Sequence, residues 1–441
     1  MGAFFILALM KPTSLLELLL SSDGVSIDSR TIRPGQLFFG LAGTQADGSQ
    51  YAKNALDAGA RAVVVQGGIQ TIGEDDRFWY VDDVLLTMQT LAREYRQFLK
   101  CTVLAITGSN GKTTNKNLLY KVLSQRFRAH STTGNFNNHI GLPLTILNAP
   151  TDTQFLLLEM GTNHFGEIQE LCSIAQPDFG SIINIGKSHL EFLHSIEGVL
   201  KAKAELADAL LERNGKLFLN EEEESLVPLS GHPVEKIPFD MNQLPGGGRL
   251  HILQSAPDIK LEIKDAQGES TFIHSVLWGH HNVLNLLHAI AIGLYFGVDV
   301  KNLGQALSEY VPGNNRSQII IWKGHKVYLD AYNANPTSME SAIRGFRSVY
   351  PDQGILVLGD MGELGDVATR EHQAILALVE ELDFNQVYLI GEEFRRSGMD
   401  RYPGFIFLND VSELSGVSFA VGEPILIKGS RFMALERLLE D

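Results

Sequence analysis

The stretch VLAITGSNGKTT, residues 103–114, decides the fold class of this chain. Residues 103–106 are apolar and read as a buried strand, and the glycine-rich turn after them leads into a segment with apolar residues at helical spacing. A strand, a glycine-rich turn and a helix in this order are typical of a phosphate-binding loop. In such a loop Lys112 reaches the β- and γ-phosphates and Thr113 ligates Mg²⁺.

The match is to the short form of the motif. The full eight-residue pattern has glycine where this chain has Ile106, so only Gly-x-x-Gly-Lys-Thr remains, over residues 108–113. A glycine-rich turn that merely caps a helix is the alternative. The strand before it and the helix after it favour the phosphate loop.

Outward from this loop, apolar strands and amphipathic helices alternate along the chain, which predicts α/β domains on mostly parallel sheets. We predict an N-terminal domain over residues 1–98, a central domain over 99–313 and a C-terminal domain over 314–441. The predicted strands are 37–41, 62–66, 103–106, 155–158, 181–185, 326–330, 355–359, 387–390 and 425–428, and helices are predicted at 51–60 and 84–99. The runs 221–224 and 245–248 read as exposed turns and 250–273 as alternating strands, all of them peripheral to any chemistry.

The amino-acid composition limits the kinds of molecule that this protein is expected to bind. The 441 residues are 44% hydrophobic and 20% charged, which excludes wholesale disorder and collagen-like repeats. A net charge of −16 opposes binding to nucleic acid or to an anionic membrane. Two cysteines, Cys101 and Cys172, are too few for a disulfide framework and lack metal-ligand spacing. We therefore expect a cytoplasmic protein with no nucleic-acid partner.

Residues 2–10 are apolar, but no basic residue precedes them and no small-residue cleavage site follows. The segment is also too short to span a bilayer. We expect a first strand here, or a true start at Met10 rather than at Met1, and no membrane insertion.

Two polar residues follow predicted strands of the central domain. Glu159 comes directly after the strand at 155–158, and His189 lies beyond the strand at 181–185. The carboxyl ends of strands in open α/β sheets carry ligand sites, and a carboxylate suits magnesium. Alone, each would be an ordinary solvated or structural residue. Their coincidence with the phosphate loop on one sheet favours metal-dependent phosphoryl transfer.

A series of motifs resembles the Mur ligase family of peptidoglycan precursor synthesis. In order they are the phosphate loop, TGNFNNHIGLP (133–143), EMGTNHFGEI (159–168), HLE (189–191), GHHNVLN (279–285), DAYNANPTSM (330–339), GDMGELG (359–365) and KGSR (428–431). They cover nearly the whole chain. The resemblance implies a three-domain architecture with a central P-loop ATPase-like sheet, a small N-terminal α/β domain and a C-terminal Rossmann-like α/β domain.

The resemblance also implies an activity in cell-wall biogenesis, and hence in cell shape and division. It implies an ATP-dependent amide ligase that forms an acyl phosphate and releases ADP and phosphate. Within the family, DAYNANPTSM and GDMGELG resemble members that add D-alanyl-D-alanine to UDP-N-acetylmuramoyl-tripeptide, whose third residue is either diaminopimelate or lysine. These two molecules are the implied partners, ATP and Mg²⁺ the implied cofactors, and a monomer is expected.

Site residues carry over from the resemblance position by position. Those implied to hold the nucleotide are Thr107, Gly108, Asn110, Gly111, Lys112, Thr113, Thr114, Asn282, Asn285, Arg316, Asp330 and Asn333. Those implied to hold metal are Thr113, Glu159, His189 and Lys203, and those implied to bind the UDP-linked substrate are Ser29, Arg30, Asn135 and Asn138. Lys112, His189 and Lys203 are the implied catalytic residues.

Lys203 stands fourteen positions after His189, where these ligases carry a carbamylated lysine that acts as an anionic metal ligand. From the residues alone, Lys201 and Lys203 would both read as solvated charges on a helix.

Three alternative functions differ in the domains and residues that they require. A P-loop nucleotide-switch ATPase needs no third α/β domain with polar residues at its strand ends. A sibling ligase, either the diaminopimelate-adding type or a folate polyglutamate ligase, remains open, although the Asp-Asn-Pro-Arg segment of the diaminopimelate-adding type is missing here. A non-enzymatic binding module would not need a lysine, a hydroxyl, a carboxylate and a histidine at one centre.

Overall fold

The computed structural model describes residues 13–43, 47–67, 75–384, 386–417, 419 and 422–440. The predictions for residues 2–10 and for a start at Met10 lie outside this part of the chain. No helix among the described residues combines the length and apolar character that a membrane span requires.

The N-terminal elements form a four-stranded parallel sheet in the order β1-β2-β3-β4. They are α1 (Leu15–Leu20), β1 (Val25–Ser26), β2 (Leu37–Phe39), a 3₁₀ helix (Gly48–Tyr51), α2 (Ala52–Asp57), β3 (Ala62–Gln66), β4 (Phe78–Val81) and α3 (Val84–Leu99). Helix α3 begins at Asp83, whose carboxylate accepts the Leu86 amide at 2.8 Å and so satisfies a free N–H of the first turn.

The central unit, residues 102–308, is built on a six-stranded parallel sheet in the order β10-β9-β8-β5-β7-β6. Its elements are β5 (Thr102–Thr107), α4 (Lys112–Leu123), β6 (Ala129–Ser131), α5 (Gly141–Leu147), β7 (Phe155–Glu159), α6 (Glu167–Ala175), β8 (Phe179–Ile182), α7 (Leu190–Leu193), α8 (Ile196–Glu212), β9 (Lys216–Asn220), a 3₁₀ helix (Glu224–Gly231) and β10 (Glu235–Phe239). Helices cover both faces, which is why β7 is buried along its whole length and β5 from its second residue onward.

A three-stranded antiparallel sheet extends the central unit. It consists of β11 (Arg249–Gln254), β12 (Ile259–Lys264) and β13 (Ser270–Ser275), and α9 (His280–Tyr295) and α10 (Val300–Ser308) follow it. The predicted alternation of strands over residues 250–273 is confirmed.

The C-terminal unit, residues 318–440, has a six-stranded sheet in the order β14-β15-β19-β16-β17-β18, parallel except for the edge pair β14 and β15. Its elements are β14 (Gln318–Trp322), β15 (His325–Asp330), α11 (Pro336–Val349), β16 (Ile355–Gly359), a 3₁₀ helix (Gly365–Val367), α12 (Ala368–Glu381), β17 (Gln386–Ile390), α13 (Glu392–Gly398), β18 (Ile406–Leu408), β19 (Ile425–Lys428) and 3₁₀ helices at Val411–Leu414, Arg431–Met433 and Leu435–Leu439. The α/β class and the mostly parallel sheets are confirmed.

Two predicted elements differ from the structure. The strand expected at 181–185 is Phe179–Ile182, so residues 183–188 already belong to the turn that leads to His189. The apolar run Ile182 to Ile185 hid this boundary, because Ile183 and Ile185 are buried by tertiary contacts rather than by strand pairing. The helix expected at 51–60 is a 3₁₀ turn followed by the shorter α2.

Helices α4 and α9 approach each other unusually closely at Gly293. A Cβ added there would lie 2.4 Å from Cγ1 of Val122 and 2.9 Å from Cδ1 of Leu303. Both neighbours are buried, and the β-branched Val122 has little rotamer freedom in a helix. The glycine is therefore required by packing, and not by a turn.

We expect Gly293→Ala to destabilise the protein. In an exposed helix the change would add about 1 kcal/mol of stability, but overpacking a buried contact costs about 1–3 kcal/mol. The urea midpoint should therefore fall. The matched control is Gly345→Ala in α11, where a Cβ would meet Trp278 at an ordinary 3.4 Å and should not lower the midpoint. A Gly293→Ala midpoint at or above that of the unchanged protein would contradict the packing argument.

Candidate functional site

The phosphate loop connects β5 to α4, as the sequence predicts. Gly111 ends the loop with φ +78°, in the left-handed region, and a Cβ there would lie 2.7 Å from Oδ1 of Asn285. Backbone conformation and the neighbouring asparagine thus both demand glycine at this position. The first turn of α4 is consequently open to an anion at its N-terminus.

The loop is fastened to the turn that follows β8. The Ser109 hydroxyl donates to the Gly186 carbonyl at 3.1 Å and accepts from the Gly186 amide at 2.9 Å. The Asn110 amide donates to Oδ1 of Asn184 at 2.9 Å. Ser109, Asn184 and Gly186 are not among the predicted site residues, because this fastening joins segments distant in sequence. It holds the loop rigid before any ligand binds.

Lys112 closes over the loop. Its Nζ donates to the Gly108 carbonyl at 2.7 Å. Burial lowers the pKa of Lys112, and the carboxylate of Glu159 opposes that shift. The ammonium is held by a weak neutral acceptor, which a phosphate oxygen outcompetes because a charge-assisted hydrogen bond is stronger.

A buried carboxylate faces the loop. Glu159 ends β7 and is 2% exposed, and its Oε1 accepts from Oγ1 of Thr113 at 3.2 Å and from Nδ2 of Asn137 at 2.9 Å. Its Oε2 is buried and has no hydrogen-bond partner. A buried charged oxygen without a partner is costly, and a hard cation is the group that satisfies it. The donors present therefore fit a magnesium ion.

Lys203 is fully buried on α8, at 0% exposure, and its Nζ has no hydrogen-bond partner. Burial, helped by the charge of Lys112, holds the pKa of Lys203 well below its usual range. Reading Lys203 from its own residue pattern as a solvated charge is wrong. Lys201 does match that reading, since it is exposed and its Nζ lies 5.5 Å from the Phe165 ring centre.

His189 lies just past the turn that fastens the loop. Its Nδ1 is 2.7 Å from Oε2 of Glu363, which belongs to the C-terminal unit. The Glu363 position is not among the predicted site residues, although the GDMGELG motif contains it. Only the docking of the two units brings this carboxylate to the histidine.

The C-terminal unit supplies further polar groups. The Arg316 guanidinium stacks on the Tyr332 ring, with Cζ 3.5 Å from the ring centre. Asp330 accepts the Ser317 amide at 3.2 Å and pairs with the buried ammonium of Lys428. The lysine holds the pKa of Asp330 below its usual range even though burial opposes the shift.

Helix α9 contributes the amides predicted to lie near adenine. Nδ2 of Asn282 donates to the Trp278 carbonyl at 2.9 Å, and Nδ2 of Asn285 donates to Oδ1 of Asn282 at 3.0 Å.

A direct hydrogen bond also joins the C-terminal unit to the phosphate loop, because Nδ2 of Asn335 donates to Oδ1 of Asn110 at 2.8 Å.

One cavity of about 730 Å³ collects most of the predicted residues. Those that line it are Asn110, Gly111, Lys112, Thr113, Thr114, Asn135, Asn138, Glu159, His189, Asn282, Asn285, Arg316, Asp330 and Asn333. Thr107, Gly108 and Lys203 do not line it, and neither do Ser29 and Arg30, which belong to the turn after β1. Glu223 also lines it, so the run 221–224 is not entirely peripheral as predicted.

Arg30 already has a carboxylate partner. Its Nε and Nη2 donate to Asp28 at 2.9 Å and 2.7 Å, and the pair lowers the pKa of Asp28 to about 2. The Arg30 side chain is 86% exposed, so this ion pair contributes little to stability. A phosphate can compete for the same guanidinium fork.

Known proteins are similar to this chain over most of its length. Family models described as "Mur ligase middle domain", "Mur ligase, glutamate ligase domain" and "Mur ligase family, catalytic domain" match residues 106–293, 315–402 and 22–94. A UDP-N-acetylmuramoyl-tripeptide–D-alanyl-D-alanine ligase of Bacillus subtilis is 35% identical, over 95% of this chain and 92% of its own length. The ligase of the same name from Escherichia coli is 29% identical, over 95% and 93%.

Solved structures agree with these relatives. MurF from Acinetobacter baumannii matches with a TM-score of 0.82 and 26% identity, over 98% of this chain and 100% of that one. MurF ligase from Thermotoga maritima in complex with ADP matches with a TM-score of 0.80 and 26% identity, over 98% of both chains.

We expect Gly111→Ala to weaken nucleotide binding by about tenfold or more, since a left-handed alanine costs about 1–2 kcal/mol and the Asn285 side chain must also move. Fluorescence titration with a methylanthraniloyl derivative of ATP measures the change. Gly324→Ala is the control, because Gly324 has φ +84° but open space around it, in the hairpin between β14 and β15. Equal affinities in the two variants would exclude the close approach as the cause.

Proposed function

The chain belongs to the Mur ligase family, and we propose that it joins D-alanyl-D-alanine to UDP-N-acetylmuramoyl-tripeptide at the expense of ATP. The observation that carries this proposal is the shared cavity. In it a phosphate loop and a buried carboxylate with a free oxygen face the polar groups of the C-terminal unit. The relatives with 35% and 29% identity carry the same activity in their names.

The reaction needs a better leaving group than oxide. The tripeptide carboxylate attacks the γ-phosphorus of ATP, ADP departs, and an acyl phosphate forms. The amine of the dipeptide then attacks the acyl carbon, phosphate leaves, and the surplus amine proton passes to solvent. Two anions must meet in the first step, so Lys112 and Arg316 are placed to offset the charge that gathers between them.

Thr113, Glu159 and His189 would hold magnesium together with the nucleotide phosphates. When bound, the ion neutralises charge on the transferred phosphoryl group and clamps its oxygens. The described residues contain no cluster of three or more His, Cys, Asp or Glu side chains. A metal here therefore takes further ligands from the nucleotide or from a modified side chain.

Lys203 is our candidate for that modified side chain. Its neutral amine attacks carbon dioxide, an N–H proton leaves to solvent, and a carbamate anion results. A carbamate needs a deprotonated amine, and the buried, unpartnered Nζ of Lys203 meets that need. The anion would replace a buried, unpartnered amine by a ligand suited to Mg²⁺.

The groups of the C-terminal unit fit a role in gripping ATP from the opposite side. Arg316, Asp330 and Asn333 line the same cavity as the phosphate loop. A nucleotide-switch ATPase acting on a protein partner has no use for this second wall, so we favour the ligase. Docking of the two units also keeps water from the acyl phosphate. We place the reaction in the cytoplasm, where the UDP-linked substrate is made, and propose a monomer.

The amine substrate distinguishes this ligase from its siblings. With ATP and UDP-N-acetylmuramoyl-tripeptide, we expect phosphate release with D-alanyl-D-alanine and little with D-alanine, glutamate or diaminopimelate. The measurement is phosphate release together with mass detection of the UDP-linked pentapeptide. Turnover with a free amino acid and none with the dipeptide would refute the proposed substrate.

We expect Lys203→Ala to lower turnover by about 10²-fold or more, the size of effect typical for loss of one electrostatic contact to the transition state. Added acetate should restore part of the activity by filling the vacated anion position. Lys201→Ala is the control, since Lys201 lies on the same helix but is exposed, whereas Lys203 is fully buried. Normal turnover of Lys203→Ala, or impairment that no short carboxylate relieves, would count against the carbamate.

A further inference from the structure

His189 adopts a backbone conformation that few side chains tolerate. Its φ is +52°, and the residue stands immediately before the short helix α7. The Leu193 amide donates to the His189 carbonyl at 2.9 Å, which fixes the residue from its C-terminal side. A non-glycine residue held in the left-handed region costs free energy, and such residues concentrate at functional sites.

Glu363 shows the same feature on the C-terminal unit, with φ +59°. The loop that carries it is anchored at two points. The Met361 amide donates to Nε2 of His372 at 3.1 Å, and the Gly362 amide donates to Oγ of Ser430 at 2.8 Å. The carboxylate is thus presented by a firmly held loop.

The two strained residues meet across the boundary between the units. Oε2 of Glu363 lies 2.7 Å from Nδ1 of His189, and the Glu363 carbonyl accepts the Glu191 amide at 3.1 Å. The contact with His189 is the main reason that the pKa of Glu363 lies below its usual range. Nδ1 of His189 makes no aligned hydrogen bond with a described residue, so its 2.7 Å approach to Oε2 of Glu363 is a close contact that a rotation of the ring would convert into a hydrogen bond.

We propose that Glu363 is a positioning residue that orients the His189 imidazole, so that the C-terminal unit completes the metal centre of the central unit. This inference rests on the proposed metal site. A metal-ligating histidine almost always gives its second ring N–H to a carboxylate, carbonyl or water, which fixes the tautomer and the ring plane. Once the ring turns to donate Nδ1–H to Glu363, Nε2 would carry the lone pair for the metal.

The arrangement couples metal affinity to the docking of the units. Lys187, two residues before His189, also reaches across, since its Nζ pairs with the buried Glu371 at 2.7 Å and its amide donates to Oγ1 of Thr337 at 2.9 Å. Residues 186–191 are therefore part of the docking surface, which also includes the contact of Asn335 with Asn110. Because coupling is reciprocal, metal that binds better to the docked form must also favour docking.

The test uses Mn²⁺ as the probe, with the full-length protein and a non-hydrolysable ATP analogue. For Glu363→Ala we expect Mn²⁺ affinity to fall by about 10- to 100-fold, the usual cost of losing the partner of a metal-bound histidine. Steady-state assays should show a raised KM for Mg²⁺, with kcat largely recovered at saturating metal. Glu363→Gln, which keeps an acceptor oxygen, should recover part of the affinity.

The electron spin-echo signal of bound Mn²⁺ distinguishes a positioning role of Glu363 from a purely structural role, which would leave this signal unchanged. The nitrogen coupling from His189 should be present in the unchanged protein and weakened or lost in Glu363→Ala. Glu191→Gln is the matched control, because Glu191 carries the same charge on the same turn without a carboxylate contact to His189. It should leave both affinity and coupling unchanged.

Failure of the proposed role of Glu363 can be distinguished from failure of the proposed metal site. If His189→Ala weakens Mn²⁺ binding while Glu363→Ala keeps normal affinity and coupling, the positioning role is refuted and the metal site stands. If neither His189→Ala nor Glu159→Ala alters Mn²⁺ binding, the proposed metal site itself is refuted, and the role of Glu363 with it.

Discussion

Oε2 of Glu159 is a buried carboxylate oxygen without a hydrogen-bond partner. It requires a positive charge or a hydrogen-bond donor, and the rest of the site is organised around that requirement. A carboxylate charge left uncompensated in a protein interior costs several kcal/mol. Thr113 and Asn137 satisfy only the other oxygen. The remaining demand is for positive charge beyond that of Lys112, whose ammonium folds back onto the Gly108 carbonyl, while burial holds the pKa of Lys203 well below its usual range.

Because the central sheet is parallel, Glu159 lies next to the phosphate loop, where ATP would bind. Strands β5 and β7 are neighbours, so the phosphate loop and Glu159 leave the sheet at the same edge. The turn after β8 joins them there, and its bonds to Ser109 and Asn110 hold the loop in shape. Catalysis by position depends on such rigidity, because the protein performs little covalent chemistry of its own in phosphoryl transfer.

The second half of the cavity comes from the C-terminal unit, and its contacts converge on the same loop and turn. Asn335 bonds Asn110, Lys187 pairs with Glu371, and Glu363 reaches His189. Docking therefore does more than cover the nucleotide. It brings side chains of the C-terminal unit into contact with the phosphate loop and with the turn that carries His189.

The sequence by itself determined the α/β class, the phosphate loop, the family and most strand positions, because these depend on local patterns such as apolar runs, glycines at turns and motif spacing. It also determined which residues line most of the cavity. Tertiary structure alone decided that Lys203 is buried while Lys201 is exposed, and that Asn184 and Glu363 belong to the site. The physical reason is that burial and pairing depend on segments far apart in the chain, whose approach no local pattern encodes.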